Sequence, residues 1–216
     1  PAERAQSVAA AVRVRKGIQL VTDSRLLVVS DQSPFADALL ARIARRSGLP
    51  VTSDQDDASG ADAIVLAGTG VDLGHWREWE DVALAHGKLL LAAHLVCDGI
   101  LCGPTVGAGS RVCVECTVRR ERQHSLDPSF AAPAGAGSSA GFTVADLAVA
   151  SALLLRTLVG VAADGPDAMV LRKRHDEATP CAVQVVPVDG CERCGTAHRD
   201  AREGALKDLR DLCGSR

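Results

Sequence analysis

A chain of 216 residues is long enough for one sizeable core, and 47% of its residues are hydrophobic, mostly Ala, Leu and Val. With three Phe, two Trp and no Tyr it offers few aromatic platforms for stacking bases. A net charge of −3 gives no general attraction to phosphate backbones or anionic lipid, so nucleic acid is not expected as a partner.

Residues 1–24 read as an N-terminal extension, in which Pro1 to Lys16 alternates Ala and Val with charge and lacks a secretory apolar region. The first element is the apolar run Arg25 to Ser30, of strand length. A helix follows: Ser33 can cap it, Pro34 suits its first position, Phe35, Leu39 and Ile43 recur at helical spacing, and Gly48 ends it. Leu49 to Ser53 reads as a second strand, Asp54 to Gly60 as an acidic loop, and Asp62 to Ala67 as a buried strand before a Gly-rich turn through Gly74. His75 to His86 predicts a helix with Trp76, Trp79 and Val82 or Ala83 on one face. Lys88 to Leu95 and Ile100 to Cys102 complete a strand–helix alternation, which argues for an α/β sheet with helices packed on it.

The second half differs. His124, beside Arg119, Arg120 and Arg122, invites a catalytic or anion-binding role, but a solvated basic turn is the preferred reading; Ala131 to Gly141 carries too little side chain for a core and reads as a flexible crossover. Thr143, with Asp146 three residues on, starts a long apolar helix that Gly160 is expected to close. Its run Val144 to Val161 is interrupted by Asp146 and Arg156, so it is read as too short to span a bilayer and no membrane association is expected. Ala168 to Lys173 and Cys181 to Val188 predict two last strands. Residues 25–216 are thus read as a single α/β domain.

Four of the eight cysteines form two Cys-x-x-Cys pairs, Cys113/Cys116 and Cys191/Cys194. Without an export signal, reduced metal-binding thiols and a cytoplasmic location are the reading preferred over disulfides. Each short turn presents two sulfurs to one ion, and two such knuckles complete the tetrahedral sulfur shell that Zn²⁺ favours. No coordination position is left for substrate, so the zinc is expected to be structural and to join the middle of the chain to its C-terminal region. A redox pair and an iron–sulfur cluster are the other chemistries open to these residues, although neither pair visibly opens a helix after a strand as a thioredoxin-like site does. Cys97, Cys102, Cys181 and Cys213 have no evident base partner, and His75, His86, His94, His175 and His198 show no shared metal spacing.

The run Gly103-Pro104 through Cys113-Val-Glu-Cys116, with Arg119 and Arg120 after it, resembles the E1/ThiF-like superfamily, as does Cys191-x-x-Cys194-Gly195 after a strand. The likeness is greatest to E1-like partner proteins of the cyclodehydratases that make thiazoles and oxazoles in ribosomal peptides, and it covers roughly Leu26 to Gly195. It implies a Rossmann-like E1/ThiF-type sheet flanked by helices, with a zinc-clamped C-terminal strand region. Active members adenylate a carboxylate with ATP at a Gly-rich turn after the first strand. Here that turn is Val29-Ser-Asp31-Gln-Ser-Pro34-Phe, with no glycine and an acid that repels phosphate. The Asn-Arg pair expected after the second strand and the Asp-Asn expected after the third are missing, and no cysteine lies between Thr117 and Pro180 to form a thioester. ATP binding and catalytic or cofactor-binding residues are therefore not expected. The winged-helix module that grips a leader peptide in some relatives needs several times the length of residues 1–24. The resemblance implies a catalytically silent docking subunit for a peptide-modifying enzyme or its precursor peptide, with a homodimer as a further expectation. Two other readings stay open: an adenylating E1-like enzyme with a divergent nucleotide site, drawing on Gly68 and Gly70, and a redox or small-molecule protein using the Cys-x-x-Cys pairs.

Overall fold

The computed structural model describes residues 25–47, 50–52, 58–96, 98–107, 110, 112–124, 141–164 and 169–194. Residues 1–24, Gly48, Cys97, most of the acidic loop, nearly all of the Ala131–Gly141 crossover, His198 and Cys213 lie outside that set, as does the side chain of His124. The elements are β1 (Leu26–Ser30), α1 (Pro34–Ser47), β2 (Val51–Thr52), β3 (Ala63–Thr69), α2 (Leu73–Ala85), β4 (Leu89–Val96), β5 (Gly99–Val106), α3 (Val114–His124), α4 (Val144–Asp164), β6 (Met169–Arg174) and β7 (Cys181–Gln184).

These strands form one seven-stranded sheet in the order β2-β1-β3-β4-β5-β6-β7. The first four run parallel, and the pairs from β4·β5 to β6·β7 are antiparallel. Parallel strands covered on both faces need unbroken apolar runs, and β1 and β3 supply them. Leu26 and Val28 face one cluster with α1 and α4, through Phe35, Leu39, Ile43, Ala150, Leu153, Leu154 and Leu158. Leu27 and Val29 face the other, with Trp76, Trp79 and Ala83 of α2, Val114 and Val118 of α3, and three of the paired cysteines. The cysteines thus belong to one of the two cores.

Helix starts follow the predicted caps. Ser33 Oγ accepts from the Ala36 N–H at 3.2 Å, and Thr143 and Asp146 bond each other reciprocally, side chain to main-chain N–H, at 2.7 and 3.2 Å. Asp72 caps α2 by accepting from the Gly74 and His75 N–H groups at 2.9 and 3.2 Å.

Four expectations are corrected. Gly160 does not end α4, which runs on to Asp164, because a single glycine costs only about 1 kcal/mol in a helix held by Leu153, Leu154 and Leu158. The same helix is long and apolar enough by length and composition to cross a bilayer, despite Asp146 and Arg156, yet it packs on α1 and the sheet. The last described strand is shorter than read, with Val185 to Val188 continuing it as irregular chain. Finally, β5 does not stop at Cys102 but continues through the cis Gly103–Pro104 bond to Val106.

Glycine is required where β5 meets β6. A Cβ on Gly99 would stand 2.0 Å from the Lys173 carbonyl oxygen and 2.8 Å from Arg174 Cα, both main chain that cannot swing aside. Gly99→Ala is expected to destabilise the chain by about 3 kcal/mol in chemical denaturation, the cost of forcing two paired strands apart. Gly87→Ala serves as the comparison. Its Cβ meets nothing within 4 Å, so it should lose only what its positive φ of 64° costs.

Candidate metal centre

Cys113 immediately precedes α3, and Cys116 lies in its first turn. The first pair therefore does open a helix after a strand, contrary to the expectation. Extension of β5 to Val106 moves the pair to the end of a short connection, and Val114 and Val118, four apart, bury one face of the helix that follows. Arg119 to His124 is accordingly helix rather than turn. Arg119 pairs with Glu115 one turn back at 2.7 Å, and Arg120 donates to the Val186 and Pro187 carbonyl oxygens at 3.0 and 2.7 Å. This second contact ties α3 to the chain that leads from β7 into the second pair.

Cys191 and Cys194 sit in a tight turn where the Cys191 N–H donates to the Val188 carbonyl at 3.1 Å. The two knuckles, 78 residues apart in sequence, meet sulfur to sulfur: Cys113 Sγ lies 3.6 Å from Cys191 Sγ, and Cys116 Sγ 3.4 Å from Cys194 Sγ. All four sulfurs lie within 4.8 Å of one another. Among the described residues this is the one group of three or more Cys, His, Asp or Glu with ligating geometry. Tetrahedral sulfurs on metal bonds of about 2.3 Å stand about 3.8 Å apart, so the quartet fits a single ion. A multi-iron cluster, which gives its cysteines to different irons, needs a wider spread.

Cys113, Cys116 and Cys191 are buried, and Cys194 is half-buried. Their thiols titrate apart. Donation from Cys113 Sγ, against burial and with help from the Val188 N–H at 3.3 Å, holds Cys116 down to about 4. Sharing that proton pushes Cys113 up, and burial first, then Cys116, pushes Cys194 up to about 12. A crowded set of four sulfurs is the donor chemistry a divalent cation completes.

Side chains of α2 reach the middle residues of both knuckles. Arg77 pairs with Glu115, and Glu80 Oε1 accepts from the Val114 N–H at 2.9 Å. Arg193 Nε donates to Glu80 Oε2 at 2.8 Å, and its Nη2 pairs with Asp81. Burial raises the Glu80 carboxyl above its usual range, opposed by the Val114 N–H and the Arg193 guanidinium. A cavity of about 370 Å³ lies alongside, and Glu80, Asp81, Ser110, Cys113, Arg193 and Cys194 are among the residues that line it. The periodicity of α2 marks its buried face, but a carboxylate on that face carries no sequence signal of what it binds.

A second feature lies at the carboxyl ends of the parallel strands, where β2 and β3 leave β1 in opposite directions. Such a switch point is where open α/β sheets bind ligands. Here Asp31, just past β1, fills it. Its Oδ2 accepts from the Thr69 N–H at 2.7 Å, and its Oδ1 from the Ser33 N–H at 2.9 Å. A Cβ on Gly68 would stand 2.6 Å from Asp31 Oδ2, so the glycine makes room for the carboxylate. Behind it, on β4, His94 is buried and its Nε2 accepts from Trp76 Nε1–H at 3.1 Å. Burial lowers His94 to about 4, with Asp31 opposing. His94 was not singled out from sequence, since a lone His in an apolar strand has no partner visible along the chain.

No family model matches the chain, and no curated protein does. Solved structures do match. One, described as a heterocyclase in complex with substrate and cofactor, aligns over 83% of this chain and 26% of its own at 15% identity, with a TM-score of 0.61. The chain shares the fold of one part of that heterocyclase. The heterocyclase TruD aligns over 83% of this chain and 28% of its own, at 14% identity and a TM-score of 0.54. A chain of the E. coli microcin synthetase McbBCD complex covers 80% of this chain and 69% of its own, at 12% identity and a TM-score of 0.56. The chain spans about a quarter of the length of the two heterocyclases. At such identities what is shared is the fold.

Proposed function

We propose that this chain is an E1/ThiF-like, zinc-stabilised subunit without adenylating activity of its own. In this reading residues 25–216 form one Rossmann-like domain in the cytoplasm. The domain docks a peptide-modifying enzyme, its precursor peptide or both, in azoline or azole formation on a ribosomal peptide, and it pairs as a homodimer. The fold shared with one part of a heterocyclase supports the pathway class. The observation that carries the silent role is the Asp31 carboxylate at the switch point. A phosphate at this place needs free main-chain N–H groups and a close backbone approach. The Ser33 and Thr69 N–H groups are bound to Asp31, and the space above Gly68 is taken by the same carboxylate. That arrangement also removes the support that Gly68 lent to a divergent nucleotide site. Convergence of the four sulfurs in one shell favours a metal over two separate redox pairs.

The test is ATP–pyrophosphate exchange by the purified chain, alone and with a peptide bearing a free carboxyl end. Exchange is expected to stay at background in both, and to stay there in Asp31→Gly. A measurable wild-type rate would overturn the silent reading. A chain that docks a heterocyclase should instead raise that enzyme's rate on its peptide when the two are mixed.

A further inference from the structure

The two knuckles come from distant parts of the chain, and four thiols hold an ion well only if their separation is fixed before the ion arrives. The Glu80 side chain, outside the quartet, touches both. Glu80 is 1% exposed, and its two carboxylate oxygens point in different directions. Oε1 accepts the Val114 N–H, the first main-chain donor of α3, inside Cys113-Val-Glu-Cys116. Oε2 accepts from Arg193 Nε, inside Cys191-Glu-Arg-Cys194. Two nearby positions on α2 repeat the pattern more weakly. Arg77, three residues before, pairs with Glu115 of the first knuckle, and Asp81 pairs with Arg193 of the second, but Arg77 is only half-buried and Asp81 is exposed. A buried carboxylate is costly to desolvate unless its partners are fixed, and here both partners lie between pairs of cysteines.

We infer that Glu80 is the positioning residue of the four-cysteine centre, bridging the first knuckle's main chain to the second knuckle's arginine and so setting the distance between the two thiol pairs. The inference rests on the reading that the quartet holds a metal ion. Glu80 itself is no ligand; it acts through Val114 and Arg193.

Cobalt(II) added to the metal-free full-length chain tests it, because tetrahedral thiolate cobalt has its own visible absorption, and competition with a chromophoric chelator gives the affinity. Glu80→Ala is expected to weaken cobalt binding 10- to 100-fold, roughly the range for partners that orient ligands. The absorption per bound ion should also weaken, as the two pairs no longer hold a regular tetrahedron. Glu80→Gln keeps an oxygen for the Val114 N–H and loses the charge facing Arg193, so it should fall between wild type and Glu80→Ala. It also keeps the shape of the side chain should the alanine variant fail to fold. Wild-type affinity and spectrum in both variants would overturn the role of Glu80 while leaving the metal centre intact. A wild-type chain that takes up no cobalt would overturn the metal reading itself and the inference with it.

Discussion

Cys116→Ser is expected to lower the melting temperature of the zinc-loaded chain by roughly 10 °C or more, and to abolish any further drop on adding a chelator. A structural site of four thiolates contributes its binding energy directly to folding. Losing one ligand should remove several kcal/mol of that, and each kcal/mol moves the midpoint of a chain this size by about 2–4 °C. The variant also places a hydroxyl where a buried thiol stood, which has its own cost. Cys102→Ser measures that cost alone. Cys102 is as completely buried as Cys116, but it lies in the opposite core, where its thiol donates to the Ala150 carbonyl at 3.9 Å and burial pushes it up to about 12. Cys181, exposed on β7, should be replaceable with no measurable change. Equal losses in Cys116→Ser and Cys102→Ser, both unaffected by chelator, would sink the zinc clamp.

The second large effect is a loss of stability in mild acid that traces to His94. Trp76 donates to its Nε2, so the imidazole is held neutral with its proton on Nδ1. Burial lowers its folded value to about 4, against about 6.5 unfolded. The sign follows from that order. Above pH 6.5 neither state is protonated, and the full stability is present. Between 6.5 and 4 the unfolded chain takes up a proton that the folded chain refuses, and stability falls. The gap between those two values corresponds to about 3 kcal/mol, fully lost below pH 4. His94→Gln keeps an oxygen to accept from Trp76 but cannot titrate. Its denaturation midpoint should therefore fall less than that of wild type between pH 7 and pH 4. Comparing the two proteins cancels the acid response of the cysteines, which is common to both. Parallel midpoint curves for the two would show that His94 does not carry the effect.

How far the chain could be read in advance depended on whether a signal was local. Ser33 and Pro34 announce α1, and Thr143 and Asp146 announce α4, because a cap and its partner lie within one turn. The Cys-x-x-Cys spacing is equally local, and the quartet it foretold converges. The absence of glycine beyond β1 could be read as well, but not that Asp31 reaches across to Thr69, 38 residues away. The strand reads as ending at Cys102, yet β5 passes on through Gly103-Pro104, where pairing with β4 carries it to Val106. Glu80 is the clearest case of what the chain conceals. Read along the sequence it is one acid in an ordinary amphipathic helix; its partners Val114 and Arg193 are 34 and 113 residues away.

The distance of 78 residues between the facing cysteines also has a consequence for synthesis. At about 5–20 residues per second, the first knuckle waits roughly 4–16 s at the ribosome before the second exists. During that interval Cys113 and Cys116 are an open dithiol, exposed to oxidants and to any ion that two sulfurs can hold. The closed site is thus among the last contacts to form. Interactions that form after the rate-limiting step of folding act mainly by slowing the reverse reaction. The metal would then do little to hasten folding of the new chain and much to lengthen the lifetime of the finished one.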